Sequence, residues 1–466
     1  MCSRIVAGAC LLIALFSTTI WSGSLSVQAG EPKTEWKAGT ASVVITPEGP
    51  MWMAGYAARD KPSEGKVHDL NAKALTLEDT KGTRLVIVTL DLISIPREVR
   101  DWLERQVGQK YQLPPEALLV NASHTHCGPE VRPNKVYLPK DRAEQCREYV
   151  EGLQQKLVEL IGRALDDLAP VSLSYTHARA GFSMNRRTPT EKGFRNHPNP
   201  DGPIDHDVPV LQVTSADNQL KAVLFGYACH STTLSFYQFC GDYSGFAQRY
   251  LEEAHPGITA LFMAGCGGDQ NPYPRGELDL CKHHGRALSN GVEAALQTYP
   301  QPVRGPLRMA LEEVVLEFTD PPNREQLEEE AQSKNKWERR HAEVLLKELE
   351  EAEEIRTTYP IPVQVVRFGK DLILVALPGE VVVDYSLRLK SEIAGPAVWV
   401  AGYSNDVFGY LPSRRVLEEG GYEGGGAMRY TSLPGPFAPS VEKLVVDKVH
   451  ELARKTDVPK STESAP

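Results

Sequence analysis

The sequence predicts a mixed α/β fold: a single large catalytic domain with a metal site at its strand ends and a charged helical insertion. Three observations predict it. Short apolar runs of the buried-strand type recur along the chain, amphipathic helical patterns alternate with them, and polar residues collect just past the ends of the runs. The 466 residues are 41% hydrophobic and 24% charged, which is ordinary globular usage and excludes a disordered, collagenous or polytopic membrane chain. The net charge is −10 with no basic block, so electrostatic binding to nucleic acid is excluded. The 34 prolines and 37 glycines are scattered as loop punctuation.

Taken in order, residues 1–29 read as a secretory signal. Arg4 supplies the basic start, an apolar stretch runs from Ile5 to Ile20, and Val27-Gln28-Ala29 closes it in a small-x-small cleavage pattern. A membrane-anchor helix is the competing reading, weakened by Ser17, Thr18 and Thr19 inside the apolar stretch. A periplasmic or extracellular location follows, with the catalytic domain occupying residues 30–466. Leu85–Leu90 and Leu118–Val120 are the first buried-strand runs, followed by Ala222–Phe225, Ala260–Met263, Leu372–Val375 and Ala397–Val400. Between them, Val150, Leu153, Leu157, Leu160, Ile161, Ala164 and Leu168 fall at helical steps of three and four.

Residues 323–357 differ from the rest. They are dense in Glu, Lys and Arg, and Ala342, Leu345, Leu349, Ala352 and Ile355 mark one apolar stripe. The stripe is too short for sustained heptads, so one or two surface helices packed on the domain are expected. Residues 460–466 read as a frayed tail. Outside the signal, the cysteines are Cys127, Cys146, Cys229, Cys240, Cys266 and Cys281. With no CxxC, a zinc ribbon or thioredoxin-type site is not supported. Disulfides and buried free thiols are both open.

The chemistry lies beyond the strand runs, where α/β sheets bind ligands. Leu118–Val120 leads into Asn121-Ala-Ser-His124-Thr-His126. On extended backbone, residues at i and i+2 point to one side, and imidazole is the commonest metal ligand, so His-x-His is half of a metal site. Ala222–Phe225 runs on to His230. Leu372–Val375 leads through Pro378-Gly379 to Glu380, and Ala397–Val400 leads to Gly402-Tyr-Ser-Asn405, with Tyr410 shortly after. Nitrogen and oxygen donors from distant strand ends suit a catalytic zinc with an open position. In isolation, Glu380 is equally a helix-start carboxylate and His230 a satisfied core histidine. Other constellations fail. Gly265-Cys-Gly-Gly-Asp269 lacks the Gly-Lys-Ser/Thr of a phosphate loop, there is no Gly-x-Ser-x-Gly elbow and no His-Glu-x-x-His, and His283-His284 diverge on a helix.

An ordered series of motifs resembles the catalytic N-terminal domain of the neutral/alkaline non-lysosomal ceramidases. It comprises Gly39–Pro47 with Met53-Ala-Gly-Tyr56, Glu64–Asp69 with Ala72-Lys-Ala74, Asn121–Pro129, Asn185-Arg186, Gly241–Gly245, Ala376–Glu380, and Gly402–Asn405 with Tyr410 and Tyr422-Glu423-Gly424. The resemblance implies one zinc per chain held by His124, His230, Glu380 and Tyr410. It implies His126, Arg186 and Tyr410 as catalytic groups, and hydrolysis of the amide of ceramide or a related lipid amide, with contact at a membrane surface. The same metal site suits an ester or lactone hydrolase, and a non-catalytic exported binding protein is the alternative from another class. Two departures stand out. Asn271 occupies the position of the family's serine in Gly268-Asp269-Gln270-Asn271-Pro272, and the chain is expected to lack the family's C-terminal sandwich domain.

Overall fold

In the computed structural model, residues 35–457 are described, apart from Asn134 and Tyr137. The expected secretory signal, residues 1–29, and the expected tail, residues 460–466, lie outside the described residues. The chain opens with β1 (Trp36–Val44), β2 (Asn71–Asp79), β3 (Arg84–Leu90), α1 (Arg97–Tyr111), β4 (Leu118–Ala122), α2 (Ala143–Asp166) and β5 (Ala169–Arg179). The hairpin β6 (Ser183–Thr190) and β7 (Gly193–Asn199) follows, then β8 (Asp207–Ser215), β9 (Leu220–Tyr227), α3 (Asp242–Ala254), β10 (Thr259–Ala264), β11 (Gln270–Pro272), α4 (Leu278–Leu296) and β12 (Gln301–Val303). The first sheet runs β10-β9-β8-β5-β1-β2-β3-β4, with β12 paired to β5. The pairs β9/β10 and β3/β4 are parallel. The long pairs β1/β2 and β5/β8 are antiparallel.

The second sheet follows in sequence: β13 (Leu307–Glu317), α5 (Arg324–Glu330), α6 (Lys336–Ala352), β14 (Thr358–Phe368), β15 (Leu372–Ala376), β16 (Glu380–Val381), α7 (Val383–Glu392), β17 (Ala397–Ala401), β18 (Tyr410–Leu411), α8 (Arg414–Glu419) and α9 (Val441–Lys455). Its order is β13-β14-β15-β17. The two sheets pack face to face. Trp36, Leu75, Ile87, Leu173, Leu224 and Met263 of the first meet Val366, Phe368, Leu374 and Trp399 of the second in one buried cluster. The outer face of the first sheet is covered by α1 to α4. The outer face of the second carries Val445, Val446, Val449 and Leu452 of α9 with Tyr385 and Leu389 of α7. Layers α/β/β/α result, each apolar face covered by the next.

The six predicted buried-strand runs are all strands, and the predicted amphipathic helix is α2. Its residues Leu153, Leu157, Leu160, Ile161 and Ala164 are buried. The charged insertion is the pair α5 and α6. Asn323 and Gln326 form a capping box that starts α5, satisfying two otherwise orphaned backbone N–H groups. Ala342 and Leu345 pack on Leu327 in a small cluster of their own, joined by Leu346 and Ile355, whereas Ala352 of the predicted stripe is exposed. The six cysteines Cys127, Cys146, Cys229, Cys240, Cys266 and Cys281 are buried free thiols. No helix among the described residues is long and apolar enough to cross a membrane.

Sheet geometry sets up the site. β5 pairs with β1 over only three residues, Val171 to Ala169, so the first sheet splits into halves. The edge strand β10 returns against the β1–β4 half, where Asn121 Oδ1 accepts from the Ala264 backbone N–H at 2.8 Å. The Asn121 amide donates to Gly402 O at 2.7 Å. One buried asparagine thereby locks the ends of β4, β10 and β17 together, and the loops beyond those ends converge.

Candidate metal centre

His124 lies two residues beyond β4, in the left-handed region at φ +59°. That turn aims its imidazole back across the sheet edge, where its Nδ1 donates to Ile93 O at 2.6 Å. His230 lies three residues beyond β9, and its Nδ1 donates to Gly267 O at 2.6 Å. In each ring the main-chain acceptor fixes the proton on Nδ1, so Nε2 presents a lone pair inward, the second-neighbour arrangement of metal-binding histidines. Gly379, at φ +74°, supplies the turn before Glu380. The two short strands β16 and β18 are parallel, with Glu380 directly beside Tyr410. That register delivers both side chains to one place from a separation of thirty residues.

The donors converge. Glu380 Oε2 is 3.2 Å from His124 Nε2 and 3.1 Å from His230 Nε2. His126 Nε2 is 3.1 Å from His124 Nε2, and the Tyr410 hydroxyl is 3.4 Å from His230 Nε2. The ligand atoms of His124, His126 and His230 all lie within 4.8 Å of one another, a grouping able to hold a metal ion. A tetrahedral zinc with bonds of about 2.0–2.1 Å has ligand–ligand edges of roughly 3.3 Å, so this donor set fits such an ion in spacing and in chemistry. All four residues expected as ligands are brought together. His126, expected as a catalytic group and not a ligand, stands beside them as a third imidazole.

Electrostatics keeps His230, His126 and Glu380 in ligand form, whereas burial raises the Tyr410 phenol well above its ordinary value and keeps it protonated until an ion arrives. Burial, with the Arg186 charge behind it, pushes the His230 imidazole down to about 4. Burial and the two other imidazoles hold His126 well below its ordinary value. Burial alone would raise the Glu380 carboxyl, but His124 and His230 pull it well below the usual carboxylate range. Neutral imidazoles and an ionised carboxylate are the states that bind a divalent cation.

Arg186 occupies the wall behind Tyr410. Its Nη2 donates to the Tyr410 hydroxyl at 2.8 Å, its Nη1 to Asn271 Oδ1 at 3.1 Å, and its Nε to Glu423 at 2.8 Å. Asn271 Oδ1 also accepts from the Thr232 hydroxyl at 3.2 Å. Asn271 is therefore a bracket for Arg186. Glu423 pairs with Arg187 as well, at 2.7 Å, and all three side chains are buried. Tyr403, at φ +49°, lays its ring 4.6 Å from that of His124 and its hydroxyl 3.4 Å from His230 Nδ1. Neither Glu423 nor Tyr403 carried a predicted role, since a buried carboxylate and a tyrosine in Gly-rich loops have no diagnostic spacing.

Comparison with known proteins gives the family and the fold. The model of the neutral/alkaline non-lysosomal ceramidase N-terminal domain matches residues 37–286, more than half of the chain. The chain belongs to that family. Among curated relatives, the neutral ceramidase of Mycobacterium tuberculosis is 22% identical over 248 residues, 48% of this chain and 38% of that protein. The match thus spans well under half of the relative's length. Among solved structures, neutral ceramidase from Pseudomonas aeruginosa superposes with a TM-score of 0.70 at 21% identity, covering 93% of this chain and 76% of that one. A ceramidase complexed with C2 gives 0.70 at 20% identity, covering 93% and 77%. At such identities these structures establish the shared fold.

Proposed function

We propose that the chain is an exported, zinc-dependent amidohydrolase cleaving an N-acyl amide bond, that of ceramide or a related lipid amide. The observation that carries this reading is the convergence of His124, His230, Glu380 and Tyr410 on one point, with His126 and Arg186 beside it. His124, His230, Glu380 and Tyr410 would hold the ion. When bound, zinc supplies Lewis-acid polarisation of a carbonyl and a lowered pKa for water.

The remaining work falls to the chain's own groups. Hydrolysis breaks the C–N bond, places the hydroxyl of water on the carbonyl carbon and returns a proton to the leaving amine. His126 Nε2, neutral and within the cluster, is placed to carry that proton. Arg186 holds the Tyr410 hydroxyl toward the cluster and adds positive charge beside the developing oxyanion. Its own position is fixed by Glu423 and Asn271 before substrate arrives, so little reorganisation is needed.

The test is product analysis on a panel of ceramides, N-acyl amines and matched esters, with and without chelator. Amide cleavage that chelator abolishes and zinc restores supports the reading, and full hydrolysis by metal-free protein contradicts it. Export is part of the proposal, resting on the leader motif. Sequencing the N-terminus of the processed protein should give Gly30, and an intact leader in the cell envelope would favour the anchor instead.

A further inference from the structure

Of the three imidazoles at the centre, two are oriented through Nδ1 and one is not. His124 and His230 each donate from Nδ1 to a main-chain carbonyl, whereas the buried Nδ1 of His126 meets no hydrogen-bond partner among the described residues. Packing holds the His126 ring from that side. The turn at residues 54–59 stands against it. A Cβ on Gly55 would sit 2.5 Å from His126 Cγ and Nδ1, so the ring rests on bare glycine backbone. The Tyr56 ring meets the imidazole edge-on, with centroids 4.9 Å apart. Arg59, itself buried, closes this turn. Its backbone N–H donates to Tyr56 O at 3.1 Å, its Nη1 donates to Ala54 O, and its Nη2 crosses to Phe236 O at 3.0 Å. The guanidinium carbon lies 4.9 Å from the Tyr56 ring centroid and 5.9 Å from that of Tyr237, a stacking that restrains both rings. The Tyr56 hydroxyl adds a second tie, donating to Leu234 O at 3.0 Å.

Resting on the reading of His126 as the group that returns a proton to the leaving amine, we infer that Arg59 is a positioning residue for that step: it fixes the turn that backs the His126 ring and so holds His126 Nε2 at the centre. One planar fork serves two carbonyls from separate segments while lying against two aromatic rings, which a lysine ammonium cannot do. The terminal torsion of a histidine is broad. With no hydrogen bond on Nδ1 to set it, the ring tilts once its backstop loosens, and a reacting group misplaced by about 1 Å costs on the order of 100-fold in rate. The proposed ligands take their orientation elsewhere, from Ile93 O, Gly267 O, the β16/β18 pairing and Arg186. Loosening the turn therefore leaves the metal in place and moves the proton donor.

The test compares N-octanoylethanolamine with p-nitrophenyl octanoate, which share an acyl chain. The amine leaves only with a proton, and p-nitrophenolate leaves without one. R59M should lower kcat for the amide by about tenfold or more, with KM and zinc content unchanged, and lower the ester rate by less than about threefold. R59K should be as impaired as R59M, which separates geometry from charge. K61M, an exposed lysine of the same loop, should match wild type. In an H126A background, R59M should cost no more than about twofold. Y56F keeps the ring and loses only the tie to Leu234 O, so it carries the same comparison, with a smaller amide-selective loss, should R59M fail to fold. Histidine ring NMR, with the His126 signal assigned from its absence in H126A, reads orientation without turnover. One sharp signal in wild type, broadened or doubled in R59M, in metal-free and zinc-loaded protein alike, supports the inference even if neither compound is cleaved, in which case the hydrolase reading alone fails. An unperturbed His126 signal in R59M overturns it, as do equal losses on amide and ester or a loss undiminished without His126.

Discussion

Replacing Glu423 by Gln tests whether the wall behind the metal centre is held by its buried charges. Glu423 and Arg187 are each 2% exposed and Arg186 is 4% exposed. The carboxylate accepts from Arg186 at 2.8 Å and from Arg187 at 2.7 Å. Gln keeps one acceptor oxygen but leaves two buried guanidinium groups short of their counter-charge. Losing one partner of a buried pair costs about 3–5 kcal/mol. Arg186 retains Asn271 and Tyr410, and Arg187 retains Glu419 and the Gly420 carbonyl, which places the expected loss at the lower end, about 3 kcal/mol. Glu419 is 21% exposed and serves as the control. E419Q should cost no more than about 1 kcal/mol, as for a solvent-screened pair. Urea unfolding followed by fluorescence and circular dichroism reads both variants. If E423Q unfolds within about 0.5 kcal/mol of wild type, the guanidinium groups are held by something other than this carboxylate, and the argument for a preorganised Arg186 fails.

Four further outcomes follow from the same geometry. Burial, opposed by Arg97, pushes the Asp406 carboxyl up to about 6. Because its folded value is raised, its stabilisation is complete below the unfolded value of about 4 and is lost as pH rises through about 6. The stability difference between wild type and D406N should therefore move against wild type between pH 4 and 6, by up to about 3 kcal/mol, and a flat difference would contradict the assignment. A Cβ on Gly55 would sit 2.5 Å from the His126 ring, at φ +98°, so G55A should destabilise the fold by more than about 1 kcal/mol and weaken metal binding in titration. R186K keeps the charge but cannot serve Glu423, Asn271 and Tyr410 together, so turnover of an N-acyl amide should fall about 100-fold with metal content unchanged. N271A removes the Oδ1 that brackets Arg186 and Thr232, and should lower kcat more than it raises KM, whereas a pure KM effect would make Asn271 a substrate contact.

Much of the centre was legible because its residues interrupt strongly apolar context. His124 follows a strand buried throughout, and His230 one buried from Ala222 to its end, where a polar side chain needs a reason. Less was legible where structure is built from backbone. The acceptors that orient both imidazoles are the carbonyls of Ile93 and Gly267, which any residue would supply. The pairing that seats Glu380 beside Tyr410 involves two-residue strands, too short to carry a period. The long antiparallel strands were equally hard to read. In β13, only Glu313–Glu317 alternates exposed and buried residues, and the first half is broken by the half-buried Arg308 and Glu312, so it forms no long apolar run, and the return of β13 and β14 as a second sheet is set by tertiary packing. The position of His126 among the imidazoles follows from the left-handed turn at His124, which spacing alone does not specify.

The most direct measurement is metal content. After exposure to zinc and exhaustive dialysis, elemental analysis of the purified protein should give about one zinc per chain, and H124A and H230A should each lose it while H283A, exposed on helix α4, retains it. Zinc kept in full by an H124A/H230A double variant, or absent from a folded wild-type chain, would contradict the account.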